Sequence, residues 1–214
     1  MDTEHATNSA PKRLTPKDAA TLVLVDHKAG WPRLLMGRRR ADLVFLANKY
    51  VFPGGRVDPR DKFEPAAAEL SAQTLSRLLK GMRGRPSVGR ARALAVAALR
   101  ELREETGITL GAPAPPSLAG LTYFARAITP PGRPRRYDTR FFMAEAGEAS
   151  ALPLGGDGEL ADLAWLTLEQ ARLLDMASIT RQIIEDVASV LAGRSGGGIP
   201  FYYHRSGTFR REFL

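Results

Sequence analysis

Between about Gly89 and Thr106 the chain runs through Ala and Leu with few interruptions and is closed by Gly107. Ala and unbranched side chains favour helix, and glycine just past the last turn suits a left-handed cap. The final turn breaks the apolar pattern, reading Arg100-Glu101-Leu102-Arg103-Glu104-Glu105. Glu101, Glu104 and Glu105 stand at i, i+3 and i+4, so their side chains leave one face of the helix close together. The fold must therefore bury the body of this helix and still bring three crowded carboxylates to a place where they are tolerated.

Arg100 lies four residues before Glu104 and offsets part of the repulsion. The negative density that remains suits a hard divalent cation with oxygen ligands. The pattern alone also describes a solvated helix face of mixed charge, so its surroundings matter. Upstream, Tyr50-Val51-Phe52 leads as a short strand into Pro53-Gly54-Gly55, where proline ends pairing and two glycines allow a sharp turn. Such a turn can offer a backbone carbonyl as a further hard ligand. Thiolate sites and disulfides are excluded because the chain has no cysteine, and His5, His27 and His204 are scattered. A metal site here has to be built from carboxylates.

Elsewhere the pattern predicts strands over Ala19–Val25, Arg33–Gly37, Leu121–Ile128, Tyr137–Ala144 and Leu163–Leu166, the first two as a hairpin. Helices are expected over Pro65–Lys80, from Thr167 onward behind a Thr cap, and over Thr180–Leu191. Strands and helices mix without regular alternation, which implies an α+β fold with helices packed on a mixed sheet. Residues 1–16 read as a mobile arm, 17–192 as the folded domain, and 193–214 as a Gly-rich linker with an aromatic tail. Asp2 and Glu4 near the start and the lack of a long apolar run point away from a signal segment or a membrane span, and a cytoplasmic protein is the expectation.

With these motifs in place, the chain resembles the Nudix hydrolase family, whose box reads Gly-x5-Glu-x7-Arg-Glu-aliphatic-x-Glu-Glu-x-Gly-aliphatic. Arg100 to Ile108 agrees with the second half at every specified position. The first half departs: counting from Gly55, Asp61 stands at the glutamate position, and about 31 extra residues separate Gly55 from Arg100. A split box of this kind, behind a Leu-Leu-x-x-Arg strand, is similar to the branch that includes a peroxisomal coenzyme A diphosphatase. Leu34 to Arg38, Tyr50 to Asp58, Ile128 to Pro130 and Arg135 to Phe142 carry that similarity.

The resemblance implies a mixed sheet between helices and a Mg²⁺-dependent attack of activated water on a pyrophosphate, with Mn²⁺ as a substitute ion. It implies Glu104 and Glu105 as direct ligands, Glu101 as a further ligand or the base, the Gly54 carbonyl as an added ligand, and Arg100 as the group that orients the glutamates. Glu159, before Trp165, resembles an acid that assists the metal or acts as base, with Asp157 and Asp162 as rivals. Asp61 is either a working substitute for glutamate or a turn cap, and Asp58 a loop-fixing residue.

Substrate contacts are expected from Arg38, Phe52 and Arg136, and from Arg83 or Arg85 in the basic segment 62–91, the site of the insertion. The implied partner is a small nucleotide, coenzyme A or an acyl derivative first, with NAD(H), ADP-ribose or a non-cleaving sensor module as other readings. The formal charge of +8 suits phosphorylated small molecules as well as nucleic acid, and nucleic acid is the lesser reading. No membrane contact is expected. The aromatic tail Phe201–His204 packs either at a homodimer interface or over the pocket.

Overall fold

The computed structural model describes residues 14–28, 30–111, 115–194 and 196–214. Most of the N-terminal arm and the turn residue Ala29 therefore lie outside the described residues. The chain first forms a hairpin of β1 (Lys17–Asp26) and β2 (Arg33–Arg39), closed by the pairs Val25↔Leu34 and Asp26↔Arg33. The Arg33 guanidinium donates to the Asp26 carboxylate, which is buried at that closed end.

Beyond those pairs the two strands take different partners. The segment of β3 (Tyr50–Val51) and β4 (Gly54–Arg56) enters between them, β3 pairing with β2 and β4 with β1. The sheet is completed by β5 (Thr122–Ile128), β6 (Tyr137–Glu145), β7 (Leu160–Thr167), β8 (Pro200–Arg205) and β9 (Thr208–Phe213). Its main path is β3-β2-β1-β6-β5-β8-β9, with β7 on the outer edge of β2. β1 runs parallel to β6 and β5 parallel to β8, so the sheet is mixed.

The alternation of β1 divides two cores. Ala20, Leu22 and Leu24 face α1 (Ala72–Lys80) and α2 (Val88–Thr106), whereas Val23 and Val25 face α3 (Leu168–Arg172) and α4 (Ser178–Leu191). Successive strand side chains point to opposite faces, so one strand can serve both layers. α2 carries out what its composition demands: Leu94, Ala95, Ala97, Ala98 and Leu102 are fully buried. Ser87 caps its start by accepting from the Arg90 amide, and Gly107 closes it in the left-handed region at φ 75°.

Three expectations are corrected. The helix expected over Pro65–Lys80 begins only at Ala72, because Ser71 caps it there. The residues before it run across the surface, held by Ala67 N to Pro116 O and Leu118 N to Ala68 O. The last helix starts at Ser178 rather than Thr180. The tail beyond the Gly-rich segment is a β-hairpin joined to the sheet through β8, turning at Ser206-Gly207 with φ of 50° and 79°. Two consecutive left-handed residues ending in glycine form the tight turn that matches strand twist. No helix among the described residues is long and apolar enough to cross a membrane.

Candidate active site

The site forms where the C-terminal turn of α2 meets β4. Gly55 pairs with Ala20, whose side chain faces α2, so any Gly55 side chain would point the same way. A Cβ on Gly55 would lie 2.5 Å from the Glu101 carboxylate; a Cβ on Gly54 would meet the Ala20 carbonyl oxygen at 2.5 Å. The two glycines are therefore required by close approach: the carboxylate occupies the place of a side chain. The Gly54 amide donates to Glu105 Oε2 at 2.8 Å, tying the turn to the helix.

Arg100 gathers the rest. Its Nη1 donates to Glu101 Oε1 at 2.8 Å and Glu104 Oε2 at 2.9 Å, and its Nη2 to the Arg56 carbonyl at 3.0 Å. Its Nε and Nη2 hold the two oxygens of Asp61 at 2.9 and 3.2 Å. Asp61 is buried and also accepts from the Asp58 amide, while Asp58 accepts from the Arg60 amide. Asp61 is thus both a turn residue and the anchor of Arg100. Burial works against the charge on Arg100, but the Asp61 hydrogen bond and the Glu101 charge prevail and raise its pKa.

Glu159 arrives from the other side. The loop before β7 packs on the end of α2, with Gly155 N donating to Thr106 O and Asp157 N to Glu104 O. A Cβ on Gly156 would strike the Glu105 carbonyl at 2.4 Å, so this approach also needs glycine. Arg39 Nη2 donates to Glu159 Oε1 at 2.7 Å and its Nη1 stands 3.9 Å from Glu105 Oε1. Burial pushes the Glu105 carboxyl up to about 8 against the Gly54 hydrogen bond, and the charges of Glu101 and Glu159 push the same way. Burial, with Glu104 and Glu159 adding to it, also raises Glu101.

As the side chains stand, no three carboxylate or imidazole groups among the described residues converge closely enough to hold a metal ion together. Arg100 and the Gly54 amide engage the glutamate oxygens. The donor set nevertheless fits a hard divalent cation: all the groups are carboxylates, and their charge exceeds what Arg100 and Arg39 neutralise. Crowding that raises two of these carboxyls is relieved by added positive charge.

A cleft of about 710 Å³ runs from this rim along the sheet face that looks toward α4. Glu101, Glu159, Gly54, Gly55 and Phe52 line it, as does Arg39. Arg38, Arg83, Arg85 and Arg136, expected at the substrate, are not brought there. Arg38 alternates to the far side of β2 from Arg39 and pairs with Asp162 at 2.7 Å. Arg83 and Arg136 border a separate groove of about 390 Å³, Arg136 donating to the Thr129 and Leu14 carbonyls. Arg85 lines neither. Arg39, Lys49, Arg56, Arg133 and Arg135 do line the cleft, and none of them was expected as a substrate contact. An alternation argument applied to Arg38-Arg39 would have found the first.

Residues 88–187 match the family model of the NUDIX domain. That match spans 100 of the 214 residues. A NUDIX hydrolase from Alicyclobacillus acidocaldarius is 26% identical with a TM-score of 0.60, over 81% of this chain and 92% of that one. A C. elegans Ap4A hydrolase binary complex shares the fold at 18% identity and TM-score 0.54, over 83% and 98% of the two chains. The NUDIX domain of Shewanella oneidensis NrtR complexed with ADP ribose does so at 15% and 0.54, over 86% and 94%. No curated protein sequence matches the chain. The matched segment begins with α2 and contains the whole glutamate turn and Glu159.

Proposed function

We propose that this chain is a Mg²⁺-dependent Nudix diphosphatase that cleaves a nucleoside diphosphate linked to a second moiety, with coenzyme A or acyl-coenzyme A as first candidates. The observation that carries the reading is the meeting of Glu101, Glu104, Glu105 and Glu159 around Arg100 and Arg39 at the head of a cleft of about 710 Å³. A cavity of this size accommodates a nucleotide-sized ligand.

In this reading Glu104 and Glu105, with Glu101 and the Gly54 carbonyl, hold the cation. The ion would offset charge on the departing phosphate and raise the reactivity of the attacking water. Arg100, braced by Asp61, keeps Glu101 and Glu104 aligned. Glu159, oriented by Arg39, and Glu101 are the groups placed to accept the proton from water. Arg39 and Arg56 stand at the same rim to bind the scissile diphosphate, because guanidinium matches phosphate geometry. Phe52 is buried at the cleft wall and shapes it from within the core.

The coenzyme A assignment rests on the split box and its flanking motifs. Between β4 and α2 the chain forms the 3-10 turn Asp61–Phe63 and α1, and α1 packs on the core face through Leu78. A hydrolysis screen with Mg²⁺ tests the reading on coenzyme A, NAD(H), ADP-ribose, dinucleoside polyphosphates and capped RNA, with Glu104→Gln as control. Turnover highest on coenzyme A supports it. Preference for ADP-ribose or NAD(H) would move the substrate, and binding without turnover would recast the chain as a nucleotide sensor.

A further inference from the structure

The floor of the cleft crosses the sheet in register. Arg56 pairs with Ala19, Ala19 with Thr139, Thr139 with Ala127, and Ala127 with Tyr202, all of them lining the cleft. Directly paired residues on neighbouring strands point to the same face, so these side chains share one surface. Three strand spacings separate β1 from β8, which at about 4.8 Å each is about 14 Å. A ligand whose diphosphate sits at the glutamate rim can thus extend over small side chains to the C-terminal hairpin.

That far end is an aromatic platform held from beneath. Tyr202 is buried and its hydroxyl donates to Asp186 at 2.7 Å. Phe209 stacks on Tyr202 at 5.9 Å between centroids, and His204 meets Phe209 edge-on at 5.4 Å. Phe209 remains 47% exposed although it borders a cleft. Phe45 and Tyr137, the other aromatic pair at the cleft, pack edge to face on each other at 5.2 Å. Arg39 Nε donates to the Phe45 carbonyl, which ties that pair to the glutamate end.

Beside the platform, the β5–β6 connection contributes Arg133 and Arg135 to the cleft, between Pro131-Gly132 and Arg136. Among the described residues neither makes an ion pair or donates a side-chain hydrogen bond, whereas Arg39 and Lys49 in the same cleft pair with Glu159 and Asp175. Two free guanidinium groups in the same cleft as an exposed ring suit a heterocycle whose sugar bears its own phosphate.

We propose that His204 and Phe209 stack the base, and Arg133 and Arg135 bind a ribose phosphate distinct from the scissile diphosphate, so that the enzyme selects phosphorylated nucleosides. The proposal rests on the diphosphatase reading for its orientation. Calorimetric titration of the metal-free protein with adenosine 3′,5′-bisphosphate and with AMP tests it without turnover. The bisphosphate is expected to bind about tenfold tighter than AMP, and the Arg133→Ala/Arg135→Ala variant to reduce that ratio to about one. Phe209→Ala is expected to weaken both ligands by about fivefold or more.

Equal affinity of the wild type for the two ligands, or a ratio unchanged in the double variant, overturns the phosphate assignment. Unchanged binding in Phe209→Ala overturns the platform. A bisphosphate preference without Mg²⁺-dependent hydrolysis of any diphosphate would sink the diphosphatase reading and leave this subsite standing. Hydrolysis without the preference would do the reverse.

Discussion

The two ends of α2 carry two arginine–carboxylate clusters, and the difference between them separates structure from chemistry. At the start of the helix, Arg90 donates to both oxygens of Asp18, Arg140 contacts Asp18 and Asp138, and Arg126 donates to both oxygens of Asp138 and to the Gly81 carbonyl. Arg126, Asp138 and Arg140 are almost wholly buried, and three cations face two anions. At the end of the helix, Arg100 and Arg39 face Asp61, Glu101, Glu104, Glu105 and Glu159. The first cluster is close to balanced, and its Arg126, Asp138 and Arg140 are shut off from water. The second opens on a cleft and keeps an excess of negative charge, which a fold retains only where something else supplies the counter-charge.

If the unbalanced cluster is the working one, Glu104→Gln should lower kcat/KM by about 10³-fold, the several kcal/mol that a bound cation supplies. Measured unfolding of the same variant by urea should show little loss, because it removes one of several like charges. A variant that unfolds more easily yet keeps its activity would invert the comparison. The balanced cluster should respond in the opposite sense. Asp138→Ala is expected to destabilise the protein by about 3 kcal/mol in urea titrations, since it strands two buried guanidinium groups.

Asp61 sits between the two cases, a buried anion that meets the glutamates only through Arg100. Asp61→Asn should reduce kcat by about tenfold to a hundredfold through the loss of Arg100 alignment, with Asp61→Glu restoring part of it. An equal fall in kcat and thermal stability, with no rescue by glutamate, would make the residue merely a turn cap. The smallest effect is expected from acid. Burial raises the Asp18 carboxyl, but hydrogen bonding from Arg90 and the charge of Arg140 outweigh it and hold the group below the ordinary aspartate range. Its contribution to stability is therefore present above the unfolded-state value of 3.8 and is lost as pH falls through the lowered folded value. Thermal melts of Asp18→Asn should show a flatter decline across that acid window than the wild type.

Much of the site was legible before any coordinates. The helical spacing of Glu101, Glu104 and Glu105 sets their common face, and the Gly54-Gly55 turn signals a close approach. The structure identifies the neighbour that makes those glycines necessary: the Glu101 carboxylate. Glu159 was nominated by its place before Trp165, yet its partnership with Arg39 was not readable, because those residues are 120 positions apart. Composition could not say which basic residues border the cleft, since exposed arginines carry no periodicity that reports the face they occupy.

The sequence by itself determined the elements and the local chemistry: which stretch is helix, where three carboxylates share a face, and where only glycine can stand. Those follow from backbone sterics and from contacts within one or two turns, which depend on neighbours in the chain. Tertiary structure decided which residues share a cavity. The segment 50–56 had to enter between β1 and β2, and the C-terminal hairpin had to pair with β5, before Arg56, Ala19, Ala127 and Tyr202 could form one floor. Strand order and register are set by packing summed over the whole sheet, and no local window contains that sum.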